Sequence, residues 1–135
     1  MNVGKVRTAG DIAMTGLQAE SKRLSVIANN IANSGTTRTA EGGAYRRKDV
    51  VLSTGGDGLG GVSIGPVVAD VQSPLQSIFS PGNPDADATG FVESSNVELP
   101  IEMMHMMTAS RAYQANVAVL KRHNDMQDAT MELLR

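Results

Sequence analysis

The chain predicts a mainly α fold with a small β-rich insert, in which long N- and C-terminal helices pair as a coiled coil and the insert lies between them. Two observations carry that expectation. Apolar residues recur at alternating steps of three and four near both ends, whereas short β-branched runs broken by Gly and Pro occupy the middle. The expected division is 1–35 together with 96–135 as the helical part, and 36–95 as the insert with its Gly-rich and Pro/Asp-rich loops.

At the N-terminal end, Met14, Leu17, Ser21, Leu24, Ala28 and Ile31 fall on one stripe of a helix, and only Ser21 interrupts its apolar character. Thr8 and Asp11 have the spacing of a capping box, and Asn33, Ser34 and Gly35 supply a stop, so the spacing predicts a helix over 9–33. Ile12, Ala19 and Val26 form a second apolar line where a surface helix would carry charge.

The C-terminal end repeats the theme. Met103, Met106, Ser110, Tyr113, Val117, Leu120, Asn124, Gln127, Met131 and Leu134 again step three and four, and Ala112, Val119, Met126 and Leu133 add a second line seven apart. Pro100 suits a first helical turn, and Asn96 just upstream is a candidate cap. A helix from there to the end would be about 54 Å long, more than so small a domain can cover. Both helices therefore present two faces in need of partners.

Between them, Val50 to Leu52, Val62 to Ile64 and Val67 to Val71 read as strands. Residues 55–61 and Ser80 to Gly90 read as loops.

Composition narrows the function classes. With 135 residues, no Trp and 3% aromatic content, any core is lean. A formal charge of -2 gives no global attraction to nucleic acid or anionic lipid. No cysteine is present, which removes disulfides and thiolate metal sites. Polar residues interrupt the first stretch, so no cleaved signal peptide is expected, and no apolar run has the length of a membrane span.

The motifs that could carry chemistry each have a plainer explanation. Gly56, Gly58 and Gly61 match G-x-G-x-x-G, but strand and turn residues follow where a nucleotide site requires a helix. Asp85, Asp87, Thr89 and Gly90 resemble the opening of a calcium loop, yet its twelfth position is Asn96 rather than Glu, which favours a hydrogen-bonded turn. Glu102 and His105 form a single E-x-x-H, too little for a di-metal bundle site. Arg46, Arg47 and Lys48 are a thin case for phosphate binding and read better as a charged edge. Met103, Met104, Met106 and Met107 suit either helix core or an adaptable contact surface. The expectation is no catalytic residue, no metal and no cofactor.

Three segments carry a resemblance. Asn29 to Asn33, with Thr36 and Thr37, resembles the Asn-Ile-Ala-Asn motif of flagellar rod and hook axial proteins. Phe79 to Val92 with Asn96 and Val97, and Ala109 to Val117, resemble the short-insert, proximal-rod members; Tyr45, Arg46 and Lys48 fit the start of their insert. Phe79 and Phe91 stand where Tyr is usual, and Ser95 stands in place of Pro. The resemblance implies a structural subunit of the basal-body proximal rod. Such a subunit would assemble with copies of itself and other rod proteins into a torque-transmitting shaft across the periplasm. It would be exported by the flagellar type III apparatus without a cleaved signal peptide, with no nucleic-acid partner and no membrane insertion.

On that reading the assembly interface comprises Leu17, Leu24, Ala28, Asn30, Ile31, Asn33, Met103, Met106, Tyr113, Asn116, Val117 and Leu120. Ile12, Val26, Val119 and Met126 make the second apolar face. Folding would then be coupled to polymerisation. A coiled-coil adapter outside any filament would use one face only, and a small metal-dependent enzyme would need bound metal.

Overall fold

A computed structural model describes residues 8–55 and 60–134. The order is helix α1 (Ala9–Ala32), strands β1 (Lys48–Thr54), β2 (Val62–Ala69), β3 (Gln76–Phe79) and β4 (Phe91–Ser94), and helix α2 (Leu99–Leu133). The strands form two two-stranded sheets, β1 with β2 and β3 with β4. The class is thus two terminal helices with small sheets between them.

The start of α1 is the capping box that its sequence announces. The Asp11 carboxylate accepts from the Thr8 amide at 2.9 Å, and the Thr8 hydroxyl accepts from the Asp11 amide at 3.2 Å. At the exit, the Asn33 side-chain amide donates to the Asn29 carbonyl at 2.9 Å, and its oxygen accepts from the Thr36 hydroxyl at 3.2 Å. This covers helix-end carbonyls and turns the chain at once.

The expected runs Val62 to Ile64 and Val67 to Val71 merge into one strand through Gly65 and Pro66, and Val71 lies beyond its end. Proline is found on edge strands, and both strands of a two-stranded ribbon are edges. The turn after β1 is closed by the Gly55 amide donating to the Gly61 carbonyl at 3.0 Å; Gly56 and Gly58 of the glycine motif lie outside the described residues.

Strands β3 and β4 were not expected as strands. They pair antiparallel with Ile78 opposite Val92 and Phe79 opposite Phe91, whose rings meet edge to face at 5.3 Å. Gly90 closes their connection at φ 82°, and a Cβ there would stand 2.9 Å from the Phe79 ring, so only glycine fits. Four-residue strands are too short for a periodic signal; cross-strand rings and turn geometry make this hairpin.

The chain divides into two compact units: residues up to 24, 50–66 and from 108 onward, and residues 25–49 with 67–107. The first has a core of small residues, with Ala13, Leu17, Ala19, Val50 and Ala109 buried. Of the predicted seam Leu17 is buried and Leu24 half-buried while Met14 and Ser21 are exposed, so the buried stripe of α1 here is rotated from that seam, and Ala19 of the second line lies inside. Close backbone approach explains the rotation. A Cβ on Gly16 would meet the Asn116 side chain at 2.8 Å, and one on Gly10 would meet the His123 ring at 2.6 Å. Small residues let α1 and α2 approach where Met14 would hold them apart. The Thr15 hydroxyl accepts the Val62 amide at 3.0 Å, fastening β2 to the helix.

Substituting Gly16→Val places a branched side chain against Asn116. Overpacking of this kind costs about 1–3 kcal/mol, and the expected result is a lowered thermal midpoint of the purified chain by circular dichroism, with Gly35→Val, whose Cβ meets nothing within 4 Å, as the surface control.

Candidate functional site

The second unit buries Val26, Ile27, Val92 and Val97 together with a polar cluster. Asn30 in the last turns of α1 and Glu102 in the first turn of α2 are both 0% exposed. Asn30 accepts the Lys48 amide at 2.9 Å and donates to the Lys48 carbonyl at 2.8 Å, taking the place a neighbouring strand would hold. Its second amide hydrogen goes to Glu102 Oε2 at 3.0 Å, and its oxygen also accepts the Tyr45 hydroxyl at 3.0 Å. Both donors and both lone pairs are used.

Glu102 is held from the other side by Arg47, whose Nε lies 2.7 Å from Oε1, and His105 Nδ1 stands 3.5 Å from the same oxygen. The Arg47 amide donates to Asn96 Oδ1 at 2.7 Å, while the Asn96 side-chain amide reaches the Asp70 carbonyl at 3.2 Å. Asn96 is therefore not the expected helix cap; it bridges two segments of the insert, and the first α2 backbone bond runs from the Glu102 amide to the Glu98 carbonyl.

Burial, and then the Glu102 charge, push the Tyr45 phenol above its ordinary value of 10.0. For Arg47, burial lowers the pKa, but the hydrogen bond and charge of Glu102, helped by Asp49, outweigh it and hold the guanidinium above its usual value. A charge buried this deeply is tolerable only because every acceptor has a donor.

An open groove of about 560 Å³ beside the cluster is lined by Arg47, Asn96, Glu102 and His105 with Ile101 and Leu75. Within it, Arg47 and His105 both face Glu102. The calcium-like loop is likewise engaged internally: Asp85 pairs with Arg38 at 2.9 Å and accepts the Thr37 hydroxyl at 2.8 Å. Asp87 accepts from the Thr89 hydroxyl and the Phe91 amide; these bonds, that from Thr89 foremost, hold its carboxyl below the usual range. This is an Asx turn that shapes the hairpin connection.

The residues expected at the assembly interface divide by burial. Asn30 and Val26 lie inside the chain, as does Leu17 at 8% exposure. Leu24, Ile31, Asn33, Met106, Asn116 and Leu120 are half-buried. Ala28, Met103, Tyr113 and Val117 are exposed, as are Ile12, Val119 and Met126 of the second line. The structure brings Asn116 against Gly16. Asn30 has no bonding capacity left for a partner, so its place in the Asn-Ile-Ala-Asn segment is explained within the chain. Sequence reading missed Glu102, Arg47, Tyr45 and Asn96 as one cluster. The available signals were a polar Asn30 beside Val26 and Ile27, and an acid set between Ile101 and Met103.

The polar groups of this cluster are satisfied within the chain, and apolar side chains are left exposed on a long helix. Comparison with known proteins supplies the family. The family profile described as flagella basal body rod protein matches residues 11–38, and that of the flagellar basal body rod FlgEFG protein C-terminal matches residues 88–133. The flagellar basal-body rod protein FlgC of Salmonella typhimurium is 42% identical over 126 residues, covering 91% of this chain and 93% of that protein. FlgC of Borreliella burgdorferi is 36% identical over 145 residues, covering 93% and 95%. FlgC of Agrobacterium fabrum is 36% identical over 130 residues, covering 94% of each. The chain belongs to the flagellar basal-body rod proteins, in their FlgC family. These are structural rod proteins, not enzymes.

Two outcomes test the cluster. Arg47→Met strands the buried Glu102 charge and should cost about 3 kcal/mol, read by urea unfolding; adding Glu102→Leu should recover part of that loss. Tyr45→Phe should cost about 1 kcal/mol at neutral pH. Because the folded phenol titrates above its unfolded value of 10.0, its contribution is complete below pH 10 and is lost as pH rises through the folded value. The stability gap between wild type and Tyr45→Phe should therefore narrow above pH 10.

Proposed function

We propose that this chain is a proximal-rod subunit whose helical ends, 1–35 and 96–135, pair as coiled coils and pack against copies of itself and sister rod proteins. Residues 36–95 would provide the outer contact layer. The observation that carries the reading is the surface of α2, where Met103, Met107, Val119, Met126 and Met131 are 58%, 57%, 47%, 64% and 69% exposed. A helix with apolar residues exposed at so many positions gains stability when neighbours cover it. Met is suited to neighbours that meet it at slightly different angles, as helically arranged subunits do.

In this role the shaft crosses the periplasm and transmits torque through packing, and the subunit reaches it through the flagellar type III apparatus. Among the described residues no helix is long and apolar enough to cross a membrane. Family membership supports the rod itself; the proximal position, the coiled-coil pairing and the export route are parts of the proposal.

The test uses exposed sites, because Val26 is buried within the chain and a charge there would damage the fold instead of probing a partner. Val117→Asp and Val119→Asp should leave the purified chain within about 0.5 kcal/mol of wild type, allow export and abolish swimming. Swimming cells carrying both changes would count decisively against packing through this helix face.

A further inference from the structure

Half of the eight methionines, Met103, Met104, Met106 and Met107, stand within a turn and a half of α2. At about 100° per residue, Met103, Met107 and Met104 fall within about 100° of arc around the helix axis. All three are more than half exposed, whereas Glu102 and Ala109, on the other side of the same helix, are buried. The bonds of Glu102 to Asn30 and Arg47 fix that inward side, and the outward side carries three thioethers together. Met103 and Met107 are four residues apart and Met104 and Met107 three, the two spacings at which helical side chains are neighbours. Long, unbranched side chains let sulfurs from such positions turn toward a common point.

Their chemistry sets them apart from the rest of the molecule. Among the described residues, no group of three or more His, Cys, Asp or Glu is placed to hold a metal ion. The oxygen, imidazole and thiolate donors that calcium, magnesium and zinc require are therefore not gathered there. Thioether sulfur is a soft donor that selects Cu(I). Being neutral, three thioethers also crowd onto one helix face without the repulsion that would oppose three carboxylates.

We propose that Met103, Met104 and Met107 form a surface site for one Cu(I) ion, held by their three sulfurs. The site lies wholly within the second unit, at the end of α2 that the Glu102 cluster anchors. Binding is a simple association: a thioether has no proton to release, and no electron moves because the ion enters as Cu(I). The site does not rest on the rod reading above. If α2 packs as proposed there, the ion and a neighbouring subunit compete for Met103 and Met107.

The experiment is an anaerobic titration of the purified full-length chain with Cu(I), kept reduced by ascorbate, against a weak chromogenic Cu(I) chelator. Expected are one Cu(I) per chain and a shell of sulfur around it in X-ray absorption. Met103→Leu, Met104→Leu and Met107→Leu should each weaken binding by about tenfold or more, since even an outer-shell change does so at a metal site. The triple variant should bind none. Leucine keeps the apolar bulk and the helix propensity, so the circular dichroism should remain that of wild type. Met126→Leu with Met131→Leu removes two exposed thioethers elsewhere on α2 and should bind as wild type does. A wild-type chain that takes no Cu(I) from the chelator, a triple variant that binds as well as wild type, loss of binding in the Met126 and Met131 pair, or nitrogen in the scattering shell would each overturn the proposal. None of these results would touch the swimming assay of Val117→Asp and Val119→Asp, so the two readings fail separately.

Discussion

The fixed point of the second unit is the buried pair of Asn30 and Glu102, clamped by Tyr45 and Arg47. A carboxylate that is 0% exposed tolerates only one arrangement of its donors, because any other leaves a charge or an amide unmatched in a poorly solvating interior. This constraint sets where α1 ends, where β1 begins and how the first turn of α2 meets them. An apolar core of the same size would accept several rotations of the helix. A hydrogen-bonded one does not.

Rigidity in one unit and exposed apolar surface on α2 are complementary properties. Torque carried through a shaft requires each subunit to hold its shape locally, while assembly requires surface that is incomplete until a neighbour covers it. The cluster serves the first need with groups that no partner has to supply. On the proposed reading, the methionines and valines along α2 serve the second with apolar side chains that a neighbour covers.

Relatives with the same name from distant bacteria retain 36–42% identity over nearly the whole chain. The family profiles cover Asn30, Asn96 and Glu102 of the polar cluster but not all of its members. The profile matches lie over 11–38 and 88–133, whereas two members of the polar cluster, Tyr45 and Arg47, lie in the insert between them. The insert is thereby more than a spacer: it completes the anchoring of both helical ends in its unit.

Much of the architecture was legible in the sequence by itself. Alternating three- and four-residue steps located both helices to within a few residues, since helical periodicity is a local property repeated many times. The Thr8 and Asp11 spacing marked the first cap for the same reason. Val50 to Leu52 marked β1, but the short hairpin of β3 and β4 had too few residues for a period and was decided by the meeting of Phe79 and Phe91. The stripe that α1 buries in its first unit was decided by tertiary approach at Gly10 and Gly16, which periodicity cannot register because glycine carries no hydrophobic signal. The polar cluster likewise existed only in three dimensions. Glu102 and Arg47 are 55 positions apart, and Asn30 and Glu102 are 72, so nothing in either local segment says that the other will neutralise it. Periodic burial is written along the chain, whereas the pairing of single charges is written only in the fold.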